Sequence, residues 1–193
     1  MAWVRELDIC ESTNDEAREL VLQGAPTRSW VKARTQSCGR GQHGRVWESS
    51  IDGNLYLSMI FRYEKIPPGF NDLPLVVTAA ILKTLEHKYP SLSLAIKHPN
   101  DLVTLMGKKI GGVLVESTGS FAVVGIGVNC THAPQGLDQP TESLSGILNE
   151  KVNADAIVTD VIKTVGDWVE GFLSRIQDHP WQELVRTKSL RSS

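Results

Sequence analysis

Residues 39–47 read GRGQHGRVW, three glycines in the spacing G-x-G-x-x-G with two arginines and a tryptophan among them. The same glycine spacing occurs in dinucleotide-binding folds and in protein kinases. A dinucleotide site requires a helix that opens at the last glycine, but residues 46–53 carry no helical apolar stripe and end in a turn. A kinase requires V-A-I-K, H-R-D and D-F-G motifs, and the sequence contains none of them. Residues 39–45, which we name the glycine loop, therefore predict a different fold.

The glycine loop has the chemistry to bind phosphate or carboxylate. Small residues let backbone N–H groups converge on an anion, and Arg40 and Arg45 can each add forked donors. Because like charges repel and glycines are entropically costly to fix, we expect the loop to become ordered when an anion binds. The alternative is a flexible surface turn.

The composition indicates an ordinary globular domain. The chain has 193 residues, of which 41% are hydrophobic and 22% charged, and its formal net charge is −2. This balance argues against a general binder of nucleic acid or membrane surfaces. The sequence shows no signal peptide and no run of roughly 20 apolar residues, and its three scattered cysteines suit a reducing compartment. We therefore expect a cytoplasmic protein that binds neither nucleic acid nor membrane.

Hydrophobic periodicity predicts strands and helices in mixed order. Apolar alternation predicts strands at residues 3–9, 30–35, 55–61, 92–97, 110–116 and 121–128. Helical spacing predicts helices at residues 13–24, 73–85, 144–148 and 154–176. The first of these helices has the capping side chains Ser12, Thr13 and Asn14, with Glu16 placed as in a capping box. This order predicts an α+β domain with a mixed β-sheet.

Three further segments join polar side chains or glycines to predicted strands. Residues 97–101 (KHPND) place a cation, an amide and a carboxylate at a strand end, residues 108–116 (KKIGGVLVE) enter a strand from two lysines, and residues 125–129 (GIGVN) carry two glycines and an amide. Glycines in strands often mark the close approach of a ligand or of another backbone. The alternatives are an Asx-type turn, an exposed hairpin and a bulged core strand. The five histidines form no metal-ligand spacing, so we expect no protein-bound metal site.

Taken in chain order, these segments resemble the catalytic domain of the biotin protein ligase family. The resemblance rests on Ser12-Thr13-Asn14, Gln36, GRGQHGR, residues 97–101, GKKIGGVLVE and GIGVN, and it extends from about Ile9 to Asn129. Each motif is weak alone, but the ordered set is specific. The resemblance implies a mixed sheet flanked by helices, similar to the catalytic domain of class II aminoacyl-tRNA synthetases.

The resemblance also implies a two-step reaction. The carboxylate of biotin attacks the α-phosphate of ATP, with magnesium expected, and gives biotinyl-AMP and pyrophosphate. A lysine on the biotin carboxyl carrier domain of a biotin-dependent carboxylase then attacks the mixed anhydride, and AMP leaves. Two alternatives stay open, a lipoate or octanoate–protein ligase on the same fold and a non-catalytic module that binds biotin or nucleotide.

Site roles follow from the same resemblance. Lys109, Arg40 and Asp101 would be catalytic, with Asp101 orienting the incoming lysine amine, whose ordinary pKa is near 10.4. Biotin would contact Ser12, Thr13, Asn14, Gln36, Gly39, Arg40, Gly41, Gln42, Lys109, Gly112 and Gly125. The nucleotide would contact Arg40, Arg45, Trp47, Asn100 and Asn129.

The sequence departs from the family pattern in three ways. His98 stands where the family usually has tryptophan, and Gln42 stands where it often has a third arginine, which predicts looser retention of biotinyl-AMP. Residues 1–180 are expected to form the catalytic domain, with residues 181–193 a C-terminal tail too short for the small β-barrel of most relatives. About ten residues precede Ser12, too few for the DNA-binding domain of some relatives. We therefore expect the catalytic domain to manage carrier docking, with a homodimer as one option.

Overall fold

The computed structural model describes residues 1–174 and 181–190. Its centre is a seven-stranded sheet in the order β1-β2-β3-β7-β6-β5-β4. The strands are β1 (Val4–Cys10), β2 (Trp30–Gln36), β3 (Leu55–Arg62), β4 (Leu94–Lys97), β5 (Asp101–Thr104), β6 (Lys109–Thr118) and β7 (Phe121–Val128). β1 and β2 pair in parallel, and the other neighbours pair antiparallel. The sheet is mixed, and the predicted α+β class is confirmed.

Helices cover both faces of this sheet. The described residues contain the α-helices α1 (Thr13–Leu22), α2 (Leu73–Lys88), α3 (Leu144–Leu148), α4 (Val158–Leu173) and α5 (Trp181–Lys188). α1 packs on β2, β3 and β7, whereas α2 and α4 pack on each other and on other residues of the same sheet. None of the helices in the described ranges combines the length and the apolar character that a bilayer crossing requires.

Strand β3 shows how the sequence divides the two faces. Leu57 belongs to the large apolar cluster that contains α2 and α4, whereas Ile60 belongs to the smaller cluster around α1. Ser58, on the same face as Ile60, reaches Thr13 at the start of α1. Because successive side chains of a strand point to opposite faces, α1 lies on one side of the sheet and the α2–α4 pair on the other. Every residue of β3 except Arg62 is buried, as expected for a strand covered on both faces.

The predicted capping box at the start of α1 is not formed. Ser12 is the N-cap residue, but its side chain makes no capping hydrogen bond. The Thr13 N–H donates instead to Gln36 Oε1 at 2.7 Å, and Glu16 accepts from Arg5 Nη1 at 2.7 Å. A side chain from β2 therefore satisfies the helix terminus, and Glu16 is used in an ion pair with β1.

Several element bounds also differ from the sequence-based predictions. β5 was missed, because it is only four residues long and lies between two segments that the sequence marks as polar. The helix predicted at residues 154–176 is a 3₁₀ turn (Ala154–Ala156) followed by α4, and residues 175 and 176 lie outside the described residues. The strand predicted at residues 92–97 begins only at Leu94.

The segment predicted as a C-terminal tail forms α5 in its described part. Trp181, Leu184 and Val185 pack against the large apolar cluster. Beyond α5, the Leu190 N–H donates to the Ile96 carbonyl at 3.0 Å, at the edge strand β4. This segment is therefore packed on the same core as α2, while the domain boundary at residue 180 stays a prediction.

Candidate active site

One cavity of about 570 Å³ on the α1 side of the sheet gathers almost all the predicted site residues. It lies between the first turn of α1, the glycine loop and strands β6 and β7. The predicted residues that line it are Ser12, Thr13, Asn14, Gln36, Arg40, Gly41, Gln42, Arg45, Trp47, Asn100, Asp101, Lys109, Gly112, Gly125 and Asn129. Gly39 does not line it. A Cβ at Gly39 would collide with Ser49 Oγ and the Trp47 carbonyl oxygen, so this glycine allows close backbone packing behind the cavity.

Buried hydroxyl and amide groups form one end of the cavity. Thr13 and Asn14 are 4% and 3% exposed. Ser58 Oγ lies 2.8 Å from Thr13 Oγ1 and 2.6 Å from Asn14 Oδ1, and Gln36 Oε1 accepts from Thr13 Oγ1 at 3.1 Å. Asn14 Nδ2 donates to Glu116 Oε2 at 2.6 Å. This network fixes polar side chains along the cavity wall, as a site for an uncharged polar ligand group requires. Ser58 was not among the predicted site residues, because it lies in a strand with no polar motif.

Two strand glycines give room for the indole of Trp47. A Cβ at Gly127 would overlap the Trp47 ring, and one at Gly112 would lie 3.2 Å from Trp47 Cζ3. Glycines at these positions in the sequence indicated the close approach of a ligand or of another backbone. The indole covers Gly112 and Gly127, and Gly125 is instead the glycine beside Asn14, whose Oδ1 would lie 2.5 Å from an added Cβ.

Lys109 is held at the wall of the cavity by Asp101. Lys109 Nζ lies 2.7 Å from Asp101 Oδ1, and the two side chains are 20% and 15% exposed. The ammonium also lies 5.2 Å from the centroid of the Trp47 ring, within cation–π range. Two of the predicted catalytic residues are therefore in contact, and the cation faces the indole.

Arg40, the third predicted catalytic residue, pairs with Asp15. Arg40 Nη1 and Nη2 each donate to one carboxylate oxygen of Asp15 at 2.6 Å. These hydrogen bonds, opposed by partial burial, lower the pKa of the Asp15 carboxyl below its ordinary value. Arg45 lines the same cavity and is exposed. No local sequence motif marks Asp15, which lies within the helix predicted at residues 13–24.

The two predicted nucleotide-binding asparagines are tied to the backbone. Asn100 Nδ2 donates to the Val113 carbonyl at 2.8 Å. Asn129 is 3% exposed, and its Nδ2 lies 3.2 Å from the Glu142 carbonyl and 3.4 Å from that of Lys109. The amide nitrogens thus position strands β5, β6 and β7. The side-chain oxygens of Asn100 and Asn129 accept no hydrogen bond within the described ranges.

A segment after β7, which no sequence motif marks, also lines the cavity. Its lining residues are Pro134, Leu137, Asp138, Gln139 and Thr141. This segment runs beside the start of β6, because the Lys109 N–H donates to the Pro140 carbonyl at 2.8 Å. Gln139 Nε2 and Trp47 Nε1 are both buried and have no hydrogen-bond partner among residues 1–174 and 181–190. Two buried donors without acceptors at one cavity are typical of a site whose ligand supplies the acceptors.

Burial raises the pKa of one tyrosine and two cysteines. It raises the pKa of Tyr56, which lines the cavity, to about 12. Burial is also the main reason that the pKa of Cys10 is raised to about 11 and that of Cys130 to about 12. These groups stay protonated at neutral pH and are poor nucleophiles. The charge of the cavity therefore comes from its lysine, arginine and carboxylate side chains.

Residues 7–131 match the family described as the biotin/lipoate A/B protein ligase family. The match covers more than half of the chain and includes every predicted site residue. The chain belongs to this family.

Relatives and solved structures extend the family match across the fold. The bifunctional ligase/repressor BirA of Bacillus subtilis is 30% identical over 166 residues, which are 80% of this chain and 50% of the relative. The biotin–[acetyl-CoA-carboxylase] ligase of Paracoccus denitrificans is 39% identical over 130 residues, which are 64% of this chain and 53% of the relative. The chain thus spans about half the length of these curated relatives.

The matches to solved structures cover a larger share of the matched chain than the matches to curated relatives do. The biotin protein ligase of Aquifex aeolicus in complex with biotin and ATP superposes with a TM-score of 0.81 at 26% identity, over 97% of this chain and 77% of that chain. The biotin protein ligase of Leishmania major in complex with biotinyl-5-AMP superposes with a TM-score of 0.79 at 25% identity, over 100% of this chain and 83% of that chain.

Proposed function

We propose that this chain is an ATP-dependent biotin–protein ligase, which forms biotinyl-AMP and transfers the biotinyl group to a lysine of a biotin carboxyl carrier domain. The observation that carries the proposal is the meeting of Lys109 and the glycine loop at one cavity whose far end is lined by buried hydroxyl and amide groups. Relatives named as biotin ligases, and complexes of similar folds with biotin and ATP, support it.

In the first step, a carboxylate oxygen of biotin bonds to the α-phosphorus of ATP, and the bond from that phosphorus to pyrophosphate breaks. The two reactants are anions that repel each other, so the site has to offset their charge and align them. We assign the offset to Lys109, Arg40 and Arg45, which line the same cavity. Ser12, Thr13, Asn14 and Gln36 would bind the polar ring of biotin at the far end, next to Gly125.

In the second step, the carrier lysine amine attacks the acyl carbon of biotinyl-AMP, an amide forms, and AMP leaves with the electron pair of the broken C–O bond. We propose that Asp101 orients this amine, because it already holds one ammonium group at 2.7 Å through Lys109. Closure of the glycine loop over the intermediate would keep water from the mixed anhydride.

Magnesium is part of the proposal as a partner of ATP. Within the described residues, no three His, Cys, Asp or Glu side chains lie close enough together to hold a metal ion. We therefore propose that magnesium arrives bound to the phosphates, where it offsets their charge. The protein would bind the complex through Arg40, Arg45, Trp47, Asn100 and Asn129.

The cellular setting is proposed on chemical grounds. All three cysteines are free, as a reducing cytoplasm favours. The partner would be the carrier domain of a biotin-dependent carboxylase, and a homodimer stays a prediction.

The test is incubation of the protein with ATP, magnesium, biotin and a purified carrier domain, read by streptavidin blot. We expect labelling of the carrier that requires ATP and the acceptor lysine. ATP–pyrophosphate exchange is measured in parallel with biotin, lipoate and octanoate. Exchange with octanoate or lipoate but not with biotin would establish the rival ligase, and binding of biotin without exchange would establish a non-catalytic module.

A further inference from the structure

Arg40 is held by a carboxylate that lies outside the glycine loop. Its two terminal nitrogens donate to the two oxygens of Asp15, each at 2.6 Å, and Glu116 Oε2 lies 3.9 Å from Nη2. Two parallel N–H···O bonds fix the plane of a guanidinium group as well as its position. Asp15 therefore determines where the Arg40 charge lies.

Within the described residues, this pair supplies the hydrogen bonds that join residues 40–46 to the body of the fold. The loop closes on itself, since the Gly41 N–H donates to the Arg45 carbonyl at 2.7 Å. Over residues 1–174 and 181–190, no hydrogen bond other than those from Arg40 to Asp15 joins residues 40–46 to residues outside 39–47. Asp15 is itself well anchored, because it follows Asn14, which is buried and bonded to Glu116.

Arg40 keeps donors for a second partner. A guanidinium group has five N–H donors, and Asp15 uses two of them. Arg40 also lines the cavity, and its side chain is 35% exposed. The guanidinium can thus hold Asp15 and an anionic ligand at the same time, so the carboxylate need not leave when the site fills.

We propose that Asp15 is a positioning residue, which latches the glycine loop across the cavity through Arg40 and directs the free donors of Arg40 at the acyl-adenylate. The latch is a property of the ligand-free protein, whereas the identity of the anion rests on the proposed function. Breaking the latch should loosen the loop first and shorten the lifetime of bound biotinyl-AMP as a consequence.

The latch is tested in the ligand-free protein by hydrogen–deuterium exchange of the peptide that covers residues 39–47. Asp15→Asn removes the charge at constant shape, and we expect at least about threefold faster exchange of this peptide. Asp15→Glu, which keeps the carboxylate, should restore part of the protection. The matched control is Glu16→Gln, which removes the neighbouring negative charge and its 2.7 Å ion pair with Arg5 and should leave the loop unchanged.

The consequence is tested by the rate at which preformed biotinyl-AMP leaves the protein. We expect release from Asp15→Asn to be about fivefold faster than from the wild type, and release from Glu16→Gln to match the wild type. In the Arg40→Gln background, Asp15→Asn should add nothing, because its effect passes through Arg40. A merely structural role of Asp15 in α1 would give additive effects instead.

The two proposals fail in different ways. If the wild type forms no biotinyl-AMP, the proposed function is wrong, and the exchange experiment alone decides the latch. If the adenylate forms but exchange of residues 39–47 is the same in Asp15→Asn and the wild type, the latch is wrong. Slower release from Asp15→Asn would also overturn it, since Asp15 would then compete with the ligand for Arg40.

Discussion

The two faces of the central sheet are built from alternate residues of the same strands, yet where one face borders the cavity their side chains differ in kind. Toward α2 and α4, β3 and β7 present large apolar residues such as Leu57 and Val124, both fully buried. Toward the cavity, their immediate neighbours are Ser58 and Gly125, which leave space and offer polar contacts. The first face is covered by α2 and α4, whereas the second is covered by α1 around Ile60 and borders the cavity at Ser58 and Gly125.

Along a single strand, residues that stabilise the fold therefore alternate with residues that border the proposed ligand site. Buried apolar side chains contribute to the free energy of unfolding through burial and close packing. Glycine and hydroxyl residues contribute little apolar burial, and they let a ligand approach the backbone. We therefore expect substitutions on the α2–α4 face to change stability, and substitutions on the cavity face to change binding and rate.

The largest effect is expected at Lys109. Lys109→Ala removes the cation that faces both proposed reactants and should lower the rate of biotinyl-AMP formation by about 100- to 1000-fold, the loss typical of removing one preorganised electrostatic group. Single-turnover formation of the adenylate measures it. Lys108→Ala is the matched control, since Lys108 pairs with Glu142 at 3.0 Å and does not line the cavity. If both variants lost the same factor in the rate of adenylate formation, the cavity position of Lys109 would not explain its role.

The next largest effect is expected on the α2–α4 face. Leu57→Ala should reduce the free energy of unfolding by about 3 kcal/mol, because Leu57 is fully buried and its truncation leaves a cavity. Denaturant unfolding gives this value, and biotin affinity measured on the folded variant should be unchanged. Leu22→Ala, at a position on α1 that is 85% exposed, should change stability by less than about 0.5 kcal/mol.

A neighbouring pair on β7 compares the two faces directly. At Gly125, an added Cβ would lie 2.5 Å from Asn14 Oδ1, so Gly125→Ala should displace Asn14 and weaken biotin binding roughly tenfold. Val124→Ala, one residue earlier, should instead cost about 2 kcal/mol of stability and leave biotin binding intact. Calorimetric titration and thermal unfolding of both variants measure the two quantities. If Val124→Ala weakened biotin binding as much as Gly125→Ala does, the assignment of binding to the cavity face would be wrong.

Local patterns in the sequence predicted most of the fold. The alternation from Leu55 to Phe61 predicted β3, and the structure shows that the same alternation also assigns each side chain to a face. The segments missed or misplaced were β5, α5 and the start of α4, which are short or lack a clean period. Periodicity needs several repeats before it distinguishes a helix or strand from a turn.

The candidate site was predicted only where its residues form motifs. The glycine loop, Asp101 and Lys109 came from recognisable segments, and the structure brings them to one cavity. Asp15 and Ser58 were missed, because their importance comes from partners 25 and 44 residues away in the sequence. Such pairs depend on how the sheet folds and leave no fixed spacing to detect.

The smallest effect is expected at Gln42, where related loops often carry a third arginine. Gln42 lines the cavity, and within the described ranges only its backbone carbonyl is hydrogen-bonded, to the Arg45 N–H at 3.2 Å. An arginine side chain there would therefore add a donor for the adenylate phosphate without displacing a partner. Gln42→Arg should slow the release of biotinyl-AMP by about threefold to tenfold. His43→Arg adds the same charge at the next residue, which is exposed and outside the cavity lining, and should change release far less. Equal release rates for the wild type and Gln42→Arg would show that charge at position 42 does not set the lifetime of the intermediate.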